Sequence, residues 1–364
     1  MKTIHLIAAA RPNFMKIAPL YHALNRTDWA DPVIVHTGQH YDINMSDAFF
    51  TDFRLPDPHI HLGVGSGTHA QQTGRVMIAY EEVLMKTPPD LVVVVGDVNS
   101  TVAATLAAVK LGIPTAHLEA GLRSFDRTMP EEINRLATDA LADLLWTPSP
   151  DGDENLKREG VPPEKIERVG NIMIDSLEML RGRIEAERIY RQHGLGAGGY
   201  GLITLHRPSN VDDPEVLGRI CGIISNITEK LPCVFPVHPR TRKNLETFGL
   251  MAGLEALAGL RLLSPLSYIP FMNLVFHSRL LITDSGGVQE ESTYLGIPCL
   301  TLRPNTERPV TVTEGSNRLC TPADLEAHVN TILDQGWPKG RIPSLWDGKT
   351  ADRVVASIRR YLDR

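Results

Sequence analysis

Leu91-Val-Val-Val-Val95-Gly96-Asp97 is the stretch on which the fold turns. An unbroken run of one leucine and four valines, closed by a glycine and an acid, suits a strand covered on both faces. Strands of that kind belong to parallel sheets. Outward from it, short apolar runs at 4–9, 33–37 and 115–118 read as further strands. Amphipathic segments near 16–27, 69–86, 101–111 and 131–142 read as the helices between them. The alternation then restarts, with strands at 202–205, 233–237, 280–283 and 299–302 and helices near 212–229, 287–295 and 322–336. Residues 173–192 read as one long helix. Two such series specify an α/β protein of two Rossmann-like domains facing a cleft, the first over 1–169 and the second over 170–350.

The composition agrees. Of 364 residues, 42% are hydrophobic and 22% charged, which supplies core for two globular domains and argues against disorder. A formal net charge of −6 gives no basic field for nucleic acid or an anionic membrane, though a local basic pocket for a phosphorylated small molecule is compatible with it. The four cysteines are widely spaced and form no CxxC pair, so neither a zinc site nor a disulfide framework is expected. Met1-Lys-Thr-Ile-His-Leu-Ile-Ala-Ala-Ala10 has the lysine and apolar run of a short signal peptide, but Arg11-Pro12 interrupts it. No stretch approaches the ~20 apolar residues of a membrane span. The run reads as a buried first strand, and the expected compartment is the cytoplasm.

Chemistry-bearing residues collect where strands end. Gly194–Gly199 spells GxGxxG, but it follows a helical pattern and leads into a strand, the reverse of a dinucleotide site, and reads as a linker. Arg11 and Lys16, after the first strand, suit either a phosphate clamp or a helix start with two solvated cations. Asp97 stands where active-site carboxylates collect in open sheets, and also where an ordinary helix cap stands. In His117-Leu-Glu119-Ala-Gly121-Leu-Arg123, Glu119 ends a buried strand beside a glycine. In Met129-Pro-Glu131-Glu132-Ile-Asn134-Arg135 the acids open a helix, which is ordinary dipole chemistry when taken singly. Together Asp97, Glu119 and Glu131 can converge on one sheet edge, where like charges push their pKa values apart as acid/base pairs require.

The second half carries His206-Arg207 and His238-Pro-Arg240 after strands, groups able to bind phosphate or move protons. Neither of these histidines stands in an HxH or HExxH spacing, which disfavours their ligating a metal. In Thr283-Asp-Ser285-Gly286-Gly287-Val-Gln-Glu-Glu291 a strand meets a helix through Ser-Gly-Gly. Backbone N–H groups there can hold a pyrophosphate, and Glu291 one turn on can accept from ribose hydroxyls; a tight turn capped by acids is the plainer alternative. No GxxxxGK[ST] or GxSxG occurs.

Taken in order, these segments resemble the non-hydrolysing UDP-N-acetylglucosamine 2-epimerases. The resemblance runs from Arg11-Pro-Asn-Phe-Met-Lys16 through Gly96-Asp97, Glu119-Ala-Gly-Leu-Arg123, Pro130-Glu-Glu-Ile-Asn-Arg135 and His206-Arg207. It continues through Pro236-Val-His-Pro239, Asp284–Glu291, Glu307-Arg-Pro309 and Gly315-Ser-Asn-Arg318, nearly the whole chain. It implies a GT-B-type fold whose last helix, about 351–364, returns to the first domain. It also implies a homodimer interconverting UDP-GlcNAc and UDP-ManNAc with no cofactor and no metal. Asp97, Glu119 and Glu131 then match the catalytic acids and His206 the essential histidine. Arg11 and Lys16 match residues near diphosphate and sugar, and His238, Ser285, Gly286, Gly287 and Glu291 the UDP site, with Arg135 and Arg240 as further substrate contacts.

Three stretches depart from the common bacterial pattern. Asn13 stands where many members have Glu, and His206-Arg-Pro-Ser-Asn210 replaces His-Arg-Arg-Glu-Asn. Gln39-His-Tyr-Asp42 differs from the Gln-His-Arg type that binds a second, activating sugar nucleotide in some members, although Arg75 can serve a related site. These departures leave room for a modified sugar such as a uronic acid. Because C2 of a hexosamine has no adjacent carbonyl, the implied route expels UDP, removes the C2 proton and passes through a 2-acetamidoglucal. Rival readings are a UDP-sugar-dependent glycosyltransferase, which needs an acceptor, a hydrolysing epimerase, which releases free sugar, and a UDP-sugar sensor without turnover.

Overall fold

The apolar runs build two separate sheets. The computed structural model describes residues 1–9, 11–38 and 50–363, with Arg11 described by its backbone alone; Gln39–Asp42 and the Arg11 side chain lie outside what is described. The first sheet contains β1 (Lys2–Ala8), β2 (Ala30–His36), β3 (Ile60–His61), β4 (Leu91–Val95), β5 (Thr115–Leu118), β6 (Leu144–Thr147) and β7 (Ile166–Arg168) in the order β3-β2-β1-β4-β5-β6-β7. The second contains β8 (Gly201–Thr204), β9 (Cys233–Pro236), β10 (Leu260–Leu263), β11 (Leu280–Thr283), β12 (Cys299–Leu302) and β13 (Asn317–Cys320) in the order β10-β9-β8-β11-β12-β13. Every described pairing is parallel. The two-domain α/β class expected from the alternation, and of the GT-B-like type implied by the resemblance, is the class observed.

Leu91–Val95 is buried at every position and paired on both sides, with β1 and with β5, as its composition requires. In each sheet the strand order reverses once, between β1 and β4 and between β8 and β11. Connections leave in opposite directions at such a point and open a crevice beyond the strands' C-terminal ends. The loops after β4, β8 and β11 carry Asp97, His206 and Ser285, and the helix that follows β1 carries Lys16 in its second turn, so topology alone selects most of the expected site residues.

Contacts divide the chain into two compact units, Met1–Met179 with Ser344–Arg364, and Leu180–Pro343. In the first, helix Thr350–Leu362 is tied down by Ala351 N–H donating to Asp175 Oδ1 (2.8 Å), Trp146 Nε1 to Ser357 Oγ (2.9 Å) and Arg353 Nη1 to the Val169 carbonyl (2.8 Å). Helix His69–Lys86 starts with a reciprocal box in which Thr68 Oγ1 accepts from Gln71 N–H and Gln71 Oε1 from Thr68 N–H. The second unit holds its own core, with Ile203, Phe235, Ile282 and Leu300 from the sheet packed against Leu217, Ile220 and Ile224 of helix Pro214–Thr228.

The segment expected as one helix over 173–192 is instead two, Ile172–Ala186 and Ile189–Gln192. Asn273 is the cause. Its amide donates to the carbonyls of Ile184 (2.9 Å) and Glu187 (3.1 Å), and its Oδ1 accepts from Ile189 N–H (3.2 Å). A side chain from another helix thus takes the backbone partners that a continuous helix would use. Among the described residues no helix is long and apolar enough to cross a membrane.

Candidate functional site

In the first unit, Gly96 turns the chain out of β4 with φ +67°, leaving Asp97 at the sheet edge. A side chain at Gly96 would lie 3.0 Å from Lys16 Nζ and 3.7 Å from Glu119 Oε2, so the glycine is what lets these two side chains approach the turn. Lys16, on helix Arg11–Asn25, and Glu119, following β5, form a buried ion pair through Nζ and Oε2. Glu119 itself has φ +73°, a left-handed conformation that costs a non-glycine residue of order 1 kcal/mol or more. Its Oε1 is buried and has no hydrogen-bond partner among the described residues. Asn13 bridges the same edge, its amide donating to the Val95 carbonyl at 3.0 Å.

Asp97 Oδ2 meets Arg135 Nη1 at 2.5 Å, and its backbone carbonyl accepts from Asn134 Nδ2 at 2.9 Å. Arg135, nearly inaccessible, also donates through Nη2 to Glu132 Oε2 at 2.8 Å. Glu132 accepts from Ser124 N–H (2.9 Å), Ser124 Oγ–H (3.0 Å) and Phe125 N–H (3.0 Å). Burial pushes its carboxyl up, but these donors and the Arg135 guanidinium outweigh that and hold it below the usual range. The residue before it, Glu131, is exposed. Helical phase explains the difference: consecutive residues lie about 100° apart, so one acid faces Ser124 and Arg135 and the other does not.

In the second unit, Asp284 follows β11 and is fully buried. It accepts from His206 N–H (3.0 Å), Arg207 N–H (2.9 Å) and Asn210 Nδ2 (3.1 Å), and His206 Nδ1 lies 2.8 Å from its Oδ1. Burial raises the Asp284 carboxyl, yet its donors, led by His206, bring it below its ordinary value. The ionised acid fixes the His206 ring with Nδ1–H inward and Nε2 outward. The ring centroid of His238 is 5.5 Å from that of His206. His238 Nδ1 accepts from Arg240 N–H at 3.2 Å and caps helix Pro239–Thr247; burial first, and His206 second, lower its pKa and favour the neutral ring.

Ser285 stands at the N-cap position of helix Gly286–Leu295 without a capping hydrogen bond from its side chain, and the helix's first N–H groups have no carbonyl one turn back. Arg308 lies against this start: a Cβ on Gly286 would sit 2.9 Å from its Nη1. Arg308 Nε is 2.9 Å from Glu290 Oε1, and Arg303 Nη1 is 2.8 Å from Glu307 Oε2. Burial raises the Glu307 carboxyl, but the surrounding guanidiniums of Arg308, Arg303 and Arg207 win and hold it at about 2. A helix start flanked by a guanidinium is built for an anion. One turn along, Glu291 is buried and its Oε1 accepts from Tyr268 O–H at 2.8 Å. Burial pushes this carboxyl up to about 8 despite the tyrosine.

Of the residues singled out in the sequence, Lys16 with Glu119 and Asp97 with Arg135 come together at one switch point, and His206, His238 and Ser285–Gly287 lie around the other. Glu131 stands at the helix start without a described partner. Arg240 is exposed and paired to Asp212, Nε to Oδ1 at 2.7 Å. Sequence reasoning passed over Glu132, Asp284 and Arg308 as individual groups. Asp284 had a legible signal, since it follows β11 as closely as Gly96-Asp97 follows β4; Arg308, reaching the helix start from a later loop, had none.

A carboxylate edge on one parallel sheet and a helix start flanked by a guanidinium on another are features of a two-unit α/β enzyme. The sequence model of the family described as UDP-N-acetylglucosamine 2-epimerase matches residues 22–359. A UDP-N-acetylglucosamine 2-epimerase of Methanocaldococcus jannaschii is 44% identical over 363 residues, 97% of each chain. A UDP-2,3-diacetamido-2,3-dideoxy-D-glucuronate 2-epimerase of Pseudomonas aeruginosa is 42% identical over 323 residues, 88% of each chain. The crystal structure of the M. jannaschii UDP-GlcNAc 2-epimerase in complex with UDP-GlcNAc and UDP superposes with a TM-score of 0.89 at 40% identity, covering 98% of this chain and 99% of that one. The chain belongs to the UDP-N-acetylglucosamine 2-epimerase family, and it is an epimerase, hence an isomerase.

Proposed function

We propose that the protein interconverts UDP-GlcNAc and UDP-ManNAc by eliminating and re-adding UDP across C1–C2. The observation that carries this reading is the buried, Lys-paired Glu119 with an unpartnered oxygen, set beside Asp97 on one sheet edge. In the forward direction the C1–O bond breaks and its electron pair leaves with UDP. A carboxylate takes the C2 proton, and the C2–H electrons form the C1=C2 double bond of a 2-acetamidoglucal. A second acid then returns a proton to the opposite face of C2 while UDP re-adds at C1. Two faces require two acid/base groups, and Asp97, Glu119 and Glu131 are the candidates. In the second unit the candidates for stabilising the departing diphosphate are Ser285–Gly287 at the helix start, Arg308, His206 and His238; in the first unit Arg11 and Lys16 are the candidate cations for the substrate. In this reading Glu291 accepts from the ribose, Arg135 and Arg240 support the substrate, and the enzyme works as a cytoplasmic homodimer, its assembly measurable by sedimentation equilibrium.

The test is proton NMR of the purified protein with UDP-GlcNAc alone in D2O. The expected result is UDP-ManNAc carrying deuterium at C2. Product without deuterium overturns the elimination route, and a requirement for an acceptor points to a glycosyltransferase. The P. aeruginosa relative supports one further reading, in which the preferred sugar is a diacetamido uronate. Comparison of kcat/KM for the two sugar nucleotides decides between them.

A further inference from the structure

Beneath the carboxylate edge lies a buried charged chain that the reaction scheme does not use. His117, on β5, is completely inaccessible. Its Nε2 is 2.8 Å from the Gly96 carbonyl oxygen and its Nδ1 is 2.5 Å from Asp139 Oδ1. Asp139, on helix Pro130–Leu141, uses its other oxygen to accept from Gly121 N–H (3.0 Å) and to meet Arg123 Nη2 (2.7 Å). Arg123 in turn holds Glu159 through Nε at 2.8 Å and Nη2 at 2.6 Å.

A carbonyl oxygen can only accept, and Asp139, facing both Arg123 and a backbone N–H, is an acceptor too. The ring between them therefore donates from both nitrogens and is an imidazolium. The charges then alternate and cancel along the chain, which ends at the part-exposed Glu159, and this makes the burial of His117, Asp139 and Arg123 tolerable. The ends of this chain are informative. Gly96 precedes Asp97, and Gly121 lies two residues beyond Glu119. Gly96, Glu119 and Gly121 all have positive φ, at +67°, +73° and +79°. Such backbones persist only where surrounding contacts over-determine them.

We propose that His117 is a positioning residue: its doubly donating ring, held by Asp139, hooks the Gly96 carbonyl and fixes Asp97 and Glu119 relative to each other. This rests on the reading of Asp97 and Glu119 as catalytic carboxylates. Ordinary core packing by an aromatic ring would fill the same space without needing either proton, and that difference is testable.

The experiment compares Asp139→Asn with the double variant Asp139→Asn/His117→Phe, alongside Asp97→Asn and Glu119→Gln, all in the epimerisation assay. In D139N the amide replaces Oδ1 and donates to Nδ1, so a neutral ring still donates from Nε2 to Gly96, and the charge balance is kept. The double variant removes the hook while keeping that balance, and an unchanged circular dichroism spectrum and cooperative melting verify its fold. The expectation is kcat within about tenfold of the parent for D139N. The double variant should lose roughly 100-fold in kcat, the scale of an ~1 Å misplacement, with KM little changed. Parental kcat in the folded double variant, or an equal loss in D139N, overturns the role of the hook while leaving the catalytic reading intact if D97N and E119Q are inactive. Full activity in D97N and E119Q overturns both.

Discussion

Replacing Lys16 by methionine keeps the length of the side chain and removes its charge, leaving the Glu119 carboxylate buried without a counter-ion. The side chains of the pair are 10% and 4% exposed, and Glu119 Oε1 already lacks a described partner, so little else can compensate. Breaking a buried pair by deleting one member costs about 3–5 kcal/mol. Glu119 can escape part of that cost by binding a proton. Measured from an ordinary unfolded carboxyl near 4.3, protonation costs ~1 kcal/mol at pH 5 and ~5 kcal/mol at pH 8. The folded variant then holds a proton that the unfolded chain has released, so its stability falls as pH rises, by up to ~1.4 kcal/mol per unit. At ~2–4 °C per kcal/mol for a domain of this size, K16M should melt only a few degrees below the parent at pH 5 and roughly 6–20 °C below it at pH 8. Thermal unfolding of parent, K16M and K16M/E119Q from pH 5 to 8 is the assay, and the double variant should recover most of the loss at pH 8. A deficit independent of pH, or a double variant no better than the single, refutes the claim that a bare buried charge is what remains.

Two further outcomes follow from the second unit. Glu291 stays protonated in the folded protein up to about pH 8, whereas the unfolded chain releases that proton near 4.3, so this group's contribution falls as pH rises between those values. Glu291→Gln should therefore be more stable than the parent at pH 8.5 by a few kcal/mol and nearly equal to it at pH 5, read by urea unfolding; identical pH slopes would count against it. Gly286→Ala pushes the Arg308 guanidinium from the helix start, where its Nη1 would stand 2.9 Å from the new Cβ. Calorimetry should show UDP binding weakened about tenfold, the ~1.5 kcal/mol of one charge-assisted hydrogen bond, with melting unchanged, and an unaltered Kd would sink the assignment of Arg308 to the anion site.

What could be read from the sequence and what could not separates along physical lines. Thr115–Leu118, Leu280–Thr283 and Cys299–Leu302 fall where the apolar runs place them, because interior parallel strands are buried on both faces and leave no other pattern. The edge strands escaped. Ile60–His61, Leu260–Leu263 and Asn317–Cys320 have a neighbour on one side only and carry polar or charged residues, so they show no continuous run. Leu144–Thr147, though interior, lies three residues beyond the helix ending at Leu141 and is lost in its apolar tail. At the site, strand ends identified Asp97, Glu119 and His206, but not their partners. Lys16 and Glu119 are 103 residues apart, and His206 and Asp284 are 78 apart, separations that no local pattern encodes. Glu131 and Glu132 look equivalent in sequence, and only the phase of the helix shows which of them is buried.

Helix Thr350–Leu362 belongs with Met1–Met179, while everything between Leu180 and Pro343 forms the other unit. On the ribosome this inverts the usual N-terminal-first order of domain completion. All of Leu180–Pro343 is synthesised before the helix whose Ser357 and Ala351 bind Trp146 and Asp175, so the unit begun first is the last to have its whole sequence. A released chain truncated just past Pro343 would carry the whole second unit tethered to an unfinished first one, with Trp146 and Asp175 left for chaperones or proteases to find.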